Sequence, residues 1–314
     1  MKNLSIELLK FFALFIIANS HMELLYGKYN FLATGGSIGD VLFFFCSGYT
    51  LFLGRMDRFD NWYKRRINRI YPSIFAWALV ASIFFNVHYD MKNILLHGGG
   101  WFVTCIMLYY IILYFIRKFM INDKWITLTI VLACIGVWYI FEDKSTFFMY
   151  GDTYFKWVHY FLFMVVGAYI GAKKITLDIT PVYDLIGFIA SLIGYYTIMY
   201  LSSKFTIIAQ MQIVSLLPLM GLTIYMYKLC SSPGALFFVD KHQRWICAIS
   251  GLCHESYIVQ YALFTDKMNK IIPLNIIITI TVILKLAYIV RSLGRLFVEM
   301  FNKESIDWTA IMKL

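Results

Sequence analysis

The sequence has little charge. Of its 314 residues only 15% are Asp, Glu, Lys or Arg, whereas soluble domains carry about a quarter. It has only five prolines and no low-complexity tract, which excludes a disordered or linker-rich chain. Hydrophobic side chains make up 61%, more than in soluble proteins. The composition therefore excludes a water-soluble globule and indicates a polytopic membrane protein.

Negative charge is the scarcer sign: 18 Asp and Glu stand against 28 Lys and Arg, a formal net charge of +10. The basic residues lie between apolar runs, where they set membrane topology. We therefore expect membrane lipids as partners and no nucleic acid. The six cysteines show no CxxC or Cys/His spacing, and His88, His97 and His159 lack metal-ligand spacing. We expect neither disulfides nor a bound metal.

The apolar runs predict an all-α fold with about ten transmembrane helices. A spanning helix needs about 20 mostly apolar residues. Ten segments meet or approach that length: roughly Leu4–Leu25, Ile38–Leu53, Tyr71–Val87, Trp101–Phe119, Trp125–Phe141, Trp157–Ala172, Val182–Leu201, Ile207–Cys230, Ile246–Phe264 and Leu274–Val290. The connections between them are too short to fold alone, so residues 1–314 are predicted to form one transmembrane domain.

Lys and Arg counts in alternate connections predict the orientation. One set of connections holds 19 of these residues and the opposite set holds 7, so both termini are predicted to be cytoplasmic. The cytoplasmic set includes a basic segment, residues 55–70, and a tail, residues 291–314, each predicted as an amphipathic helix at the membrane surface. A cleavable signal peptide ending near Ser20 is the alternative for the N-terminus, but Lys10 interrupts its apolar run.

The first predicted span carries three ionisable side chains that are in phase along a helix, Glu7, Lys10 and His21. Glu7 lies one helical turn before Lys10, and His21 follows Lys10 by eleven residues, almost three turns. On a continuous helix they share one face, and Glu7 can pair with Lys10. Ionisable groups inside a membrane mark function more often than structure, so we predict catalytic roles. In the alternative, Lys10 snorkels to the interface and His21 bonds a neighbouring carbonyl.

Two other groups of charged residues are candidates for function. Arg65, Arg66 and Arg69 could clamp the phosphates of a polyanionic donor, with an anchor to anionic lipid head groups as an equal alternative. Glu255 falls near the middle of the ninth predicted span, where a carboxylate needs a partner. A buried structural ion pair is the alternative there.

Taken in order, these residues resemble the integral-membrane acyltransferase 3 family. Members carry an acidic residue, Arg, ten residues and His in the first span, and a Gly-rich second span ending in Ser-Gly-Phe/Tyr. They continue with Arg-x-x-Arg, a hydrophobic pair and Pro, and a late Ser-x-x-x-Tyr-Leu-x-His. The similar positions here are Glu7, Lys10 and His21; Gly39–Tyr49; Arg66–Pro72; and Cys253–Gln260. Three residues depart from the pattern: Lys10 replaces Arg, Cys253 replaces Ser and Gln260 replaces the late His.

The resemblance implies transfer of an acyl group, commonly acetyl from cytoplasmic acetyl-CoA or another acyl-CoA, to a hydroxyl of an extracytoplasmic glycan. His21 would be a general base on that hydroxyl or a nucleophile that carries the acyl group. Lys10, Glu7 and Glu255 would belong to the catalytic set, and Arg65, Arg66 and Arg69 would bind CoA phosphates. Further candidates for substrate binding are Asp40, Ser47, Trp101, Tyr257 and Gln260.

Other functions fit the same composition. In a transporter or exporter, Lys10, His21 and Glu255 would relay protons or bind a sugar. Inverted repeats would favour that class, and none is evident. A scaffold for a glycan-synthesis complex is the non-enzymatic option. In the acyltransferase interpretation the chain resides in the bacterial cytoplasmic membrane.

Overall fold

The computed structural model describes residues 3–97, 100–144, 148–301 and 306–313, with the side chains of 96 and 97 outside the description. Lys2 and Lys303, which enter the charge count, lie outside it as well. Over this part of the chain every regular element is helical. The α-helices are α1 (Leu4–Ser20), α2 (Glu23–Tyr26), α3 (Gly36–Leu53), α4 (Phe59–Phe84), α5 (Met91–His97), α6 (Gly100–Phe119), α7 (Lys124–Phe141), α8 (Lys156–Gly171), α9 (Pro181–Ser202), α10 (Thr206–Ala209), α11 (Leu216–Cys230), α12 (Pro233–Lys241), α13 (Gln243–Gly251), α14 (Cys253–Val259), α15 (Leu274–Glu299) and α16 (Trp308–Met312). Short 3-10 helices lie at Gly27–Leu32, Gln212–Ser215, Gln260–Leu263 and Asn269–Ile271.

The predicted all-α polytopic fold is confirmed. By length and composition, seven helical segments of the described chain can cross a membrane, and an eighth can if one bent pair counts as a single span. The other two of the ten predicted spans correspond to α8, which has 16 residues, and to the interrupted stretch from α13 to Leu263. The exact number of spans and the side on which each terminus lies stay predictions.

The first span is broken where an uninterrupted helix was predicted. Helix α1 ends at Ser20, and after a bend of 65° the chain continues as a helical segment over Glu23–Leu32. The reason is a local polar network centred on Asn19. Its Nδ2 donates to the backbone carbonyls of Leu32 at 2.8 Å and Thr34 at 3.0 Å, and its Oδ1 accepts from the hydroxyl of Tyr26 at 2.6 Å. These bonds fix the chain after the bend.

Two surface segments predicted as separate helices are instead continuous with spans. The basic segment 55–70 enters the third span without a break, because α4 runs from Phe59 to Phe84 with Pro72 inside it. The tail predicted over 291–314 begins inside α15, which ends only at Glu299. In both cases the helix continues beyond the apolar run, so the run did not predict where the helix begins or ends; that the two segments lie at the membrane surface stays a prediction. A helix continues until a terminating residue or a tertiary contact stops it.

The described chain divides into two compact units, each assembled from three separate stretches. Unit 1 consists of Met1–Ala13, Ser37–Arg55 and Ile112–Gln243. Unit 2 consists of Leu14–Gly36, Met56–Ile111 and Arg244–Leu314. Helices α1 and α6 each contribute residues to both units.

In unit 1, α3 packs on α8 through glycines with almost no separation. A Cβ at Gly48 would lie 1.9 Å from the carbonyl oxygen of Met164. On α8, a Cβ at Gly167 would lie 2.2 Å from the carbonyl of Phe45, and one at Gly171 would lie 2.4 Å from that of Tyr49. Small residues let transmembrane helices approach to backbone contact. The Ser-Gly-Tyr sequence in α3 therefore serves this close packing.

Unit 2 is built around α4, α14 and α15. Its core consists largely of aliphatic side chains together with Trp77, and Ile283, Ala287 and Val290 contribute from α15. A Cβ at Gly294 would lie 3.0 Å from the backbone of Pro72 and Ser73, so α15 and α4 touch at the proline. Three of the polar residues considered next, Ser73, Glu255 and Arg295, lie on these three helices.

Candidate active site

His21 occupies the break in the first span. It follows the last residue of α1 and is half-buried, and its imidazole lies beside the side chain of Tyr261. The hydroxyl of Tyr261 lies 3.0 Å from Nε2 and 3.4 Å from Nδ1, and the ring centroids are 4.9 Å apart. The hydroxyl is within hydrogen-bond distance of both ring nitrogens, so it orients the imidazole ring. The break therefore presents an oriented imidazole.

Two predicted substrate-binding residues lie close to this pair in unit 2. The ring of Tyr257 contacts Tyr261 at a centroid distance of 6.3 Å and Phe102 at 5.4 Å. Its hydroxyl would lie 3.3 Å from a Cβ at Gly100, a residue with φ of +68° at the start of α6. Trp101 follows directly and contacts Phe102 edge to face. The start of α6 thus meets the late motif near His21.

Gln260 lies one residue before Tyr261 and is 1% exposed. Its Nε2 is buried and has no hydrogen-bond partner in the described part of the chain, and the same is true of Ser256 Oγ one turn earlier. A buried amide without a partner is costly. Gln260 therefore presents a buried donor without an acceptor, and its role in substrate binding stays a prediction.

Glu255 has a partner that the sequence did not reveal. The hydroxyl of Ser73 on α4 donates to Oε1 of Glu255 at 2.8 Å, and both side chains are buried. The carboxylate is also within electrostatic range of His254 and of Arg295 on α15. Glu255 thus ties α14 to α4 and to the charged end of α15. We refer to Ser73, His254, Glu255 and Arg295 as the Glu255 cluster.

The three predicted phosphate-binding arginines have different environments. Arg65 forms an ion pair with Asp57. The guanidinium of Arg66 stacks on Trp62, 5.0 Å from the ring centroid, and lies 5.9 Å from that of Tyr110. Such cation–π contacts hold an arginine in place.

Arg69 is exposed and lies one turn before Ser73, within electrostatic range of His254. Of the three arginines, Arg69 is the one with an electrostatic interaction with His254.

The remaining predicted residues lie in unit 1. The predicted pairing of Glu7 with Lys10 is observed, with 3.1 Å between Nζ and Oε1. The carboxylate of Asp40 in α3 accepts a hydrogen bond from Tyr160 and faces the charge of Lys156. Ser47 is half-buried next to Gly48, at the close approach of α3 to α8. The predicted residues of unit 1 therefore include one ion pair, Lys10 with Glu7, and one carboxylate, Asp40, near a lysine.

No three His, Cys, Asp or Glu side chains of the described residues are placed to hold a metal ion.

The acyltransferase domain model of the acyltransferase 3 family matches residues 3–291. The chain belongs to this family. No curated protein and no solved structure matches it significantly.

The acyltransferase 3 match covers nearly the whole chain and includes every predicted site residue. The structure brings His21, Tyr257 and Gln260 together with Tyr261, and places Arg69 near His254, the neighbour of Glu255 in the chain. Sequence reasoning missed Tyr261 and Ser73. Tyr261 follows Tyr257 by four residues, so helical spacing in the late motif was a signal for it. Ser73 follows Arg69 by the same interval.

Proposed function

We propose that this acyltransferase moves an acetyl or other acyl group from cytoplasmic acyl-CoA to a hydroxyl of an extracytoplasmic glycan, across the bacterial cytoplasmic membrane. The observation that carries the proposal is the placement of His21. An imidazole held by a tyrosine hydroxyl at the break of a transmembrane helix suits proton transfer to and from a hydroxyl acceptor. The family match supports acyl transfer as the reaction class.

His21 acts as the general base in the proposed reaction. The imidazole, oriented by the hydroxyl of Tyr261, takes the proton of the acceptor hydroxyl as the oxygen attacks the thioester carbonyl. The ester C–O bond forms, the C–S bond breaks, and the proton passes from the imidazolium to the departing thiolate. General-base catalysis of this kind contributes about a hundred- to ten-thousand-fold in rate.

The other residues bind and position. Gln260 and Tyr257 lie next to Tyr261 and contact the acceptor, with Trp101 at the start of α6 beside them. Arg69 binds a phosphate of the donor, because its guanidinium is exposed whereas Arg65 is ion-paired and Arg66 is stacked on aromatic rings. Lys10 and Glu7, paired in α1, position the donor.

Transfer of radiolabelled acetyl from acetyl-CoA into a glycan fraction by the purified chain in nanodiscs tests the proposal. The parental chain should label the glycan, and His21→Ala should lower the rate by at least about a hundredfold. His242→Ala is the matched control, since His242 is exposed at the end of α12. Equal rates for the parental chain and His21→Ala would overturn the assignment of His21.

A further inference from the structure

The guanidinium of Arg291 fills the space above a glycine. Arg291 lies on α15, and a Cβ at Gly251, the last residue of α13, would be 2.8 Å from its Nη1. This Nη1 is buried and has no hydrogen-bond partner among the residues that the structure describes. A buried cationic N–H without an acceptor costs more free energy than a neutral one. The position therefore calls for an acceptor from a bound molecule.

The groups around Arg291 leave an excess of positive charge. Arg295, one turn later, is within electrostatic range of Arg291 and of Glu255, and its Nη1 donates to the backbone carbonyl of Ile311 at 3.1 Å. Arg69 on α4 lies near His254. These three guanidinium groups lie near one buried carboxylate, Glu255, which already accepts from Ser73. With His254 counted as neutral and Glu299, one turn after Arg295, included, positive charges still outnumber negative charges in this region.

We propose that Arg291 and Arg69 bind a phosphate group at this end of unit 2. A phosphate carries up to two negative charges and several acceptor oxygens, which match both the charge surplus and the unsatisfied Nη1. Arg69 is the exposed contact and Arg291 the inner one, and Gly251 is required because any side chain there would displace the guanidinium.

Two molecules could supply the phosphate. One is the nucleotide part of the acyl-CoA donor, an assignment that rests on the proposed function. The other is the head group of an anionic lipid, which basic residues near a membrane surface also attract. Both present the same chemistry to Arg291, so the binding experiment needs one arm for each.

The donor arm measures coenzyme A binding to the full chain in phosphatidylcholine nanodiscs. The lipid arm measures how much phosphatidylglycerol the purified chain retains. Arg291→Gln removes the charge, and Gly251→Ala displaces the guanidinium while leaving the charge in place. Because a charge-assisted hydrogen bond is lost in each, both variants should weaken binding in one arm by about tenfold or more.

Two controls match these changes. Lys285→Gln removes one positive charge from an exposed position of the same helix, and Gly136→Ala adds a Cβ on α7 where nothing lies within 4 Å. Both should bind like the parental chain. If Arg291→Gln and Gly251→Ala bind coenzyme A more weakly but retain phosphatidylglycerol as the parental chain does, the site binds the donor. If the same two variants lose phosphatidylglycerol but bind coenzyme A normally, the site binds an anionic lipid.

Unchanged binding in both arms would overturn the proposal, as would equal losses in the Lys285→Gln control. The measurement needs no turnover, so it is independent of the transfer assay. If the parental chain binds coenzyme A through Arg291 but transfers no acyl group, the proposed function fails and the phosphate site remains.

Discussion

The hydroxyl of Tyr261 is the contact whose removal tests the active-site geometry most selectively. Tyr261→Phe deletes a single oxygen, 3.0 Å from Nε2 of His21, and keeps the ring that packs against Tyr257 and Phe264. Because His21 becomes positively charged as it accepts the proton, the lost bond is one to a charged group. Such bonds contribute about 1.5–3 kcal/mol, which corresponds to about a ten- to hundredfold change in rate.

The assay is steady-state acyl transfer with donor and acceptor varied separately. Tyr261→Phe should lower kcat by that factor and leave KM for the acyl-CoA donor unchanged, because Tyr261 acts through His21 and does not touch the donor. Tyr183→Phe, at an exposed position of α9, is the control. If Tyr261→Phe has the same kcat as the parental chain, the hydroxyl does not position His21 for catalysis. A raised donor KM with normal kcat would show instead that Tyr261 binds substrate.

Three further substitutions test other parts of the structure. Gly48→Ala should lower the free energy of unfolding by about 3 kcal/mol, because the added Cβ meets the backbone of α8. Gly136→Ala, where nothing lies within 4 Å of an added Cβ, should instead raise the free energy of unfolding by up to about 1 kcal/mol. Thermal unfolding of both variants in detergent compares the two effects. Lys10→Arg should keep most transfer activity, whereas Lys10→Gln should lose it by leaving Glu7 without its partner; comparable activity in the two would contradict a role for this charge. Lys228→Gln should destabilise the protein by about 1.5–3 kcal/mol, because the carboxylate of Asp184 loses the ammonium it binds and keeps only its hydrogen bonds from Thr180, and an unchanged unfolding midpoint would disprove this.

The sequence predicted the helices well because each apolar run must cover one membrane thickness. It did not predict where helices break or continue. The bend at His21 depends on hydrogen bonds from Asn19 to carbonyls more than ten residues away, and α4 and α15 extend past their apolar stretches. Periodicity within one segment contains no information about such tertiary contacts.

For the site, the sequence identified candidate residues by their type and position but did not predict their surroundings. Intramembrane charge singled out His21 and Glu255, and the pairing of Glu7 with Lys10 followed from helical spacing. The different environments of Arg65, Arg66 and Arg69 could not be predicted, because they depend on neighbours such as Tyr110 in another helix. Tyr261 and Ser73 were missed because a neutral hydroxyl in an apolar run resembles ordinary packing.

The central claim is that this chain esterifies a hydroxyl outside the membrane and that His21 is the base. Mass spectrometry of surface glycans from cells that express the parental chain, His21→Ala or neither tests it most directly. We predict acyl groups on the glycan only with the parental chain, at an equal amount of glycan in all three. Acylation that persists with His21→Ala would contradict the role of His21, and loss of the glycan itself without any acylation in the parental cells would show an exporter instead.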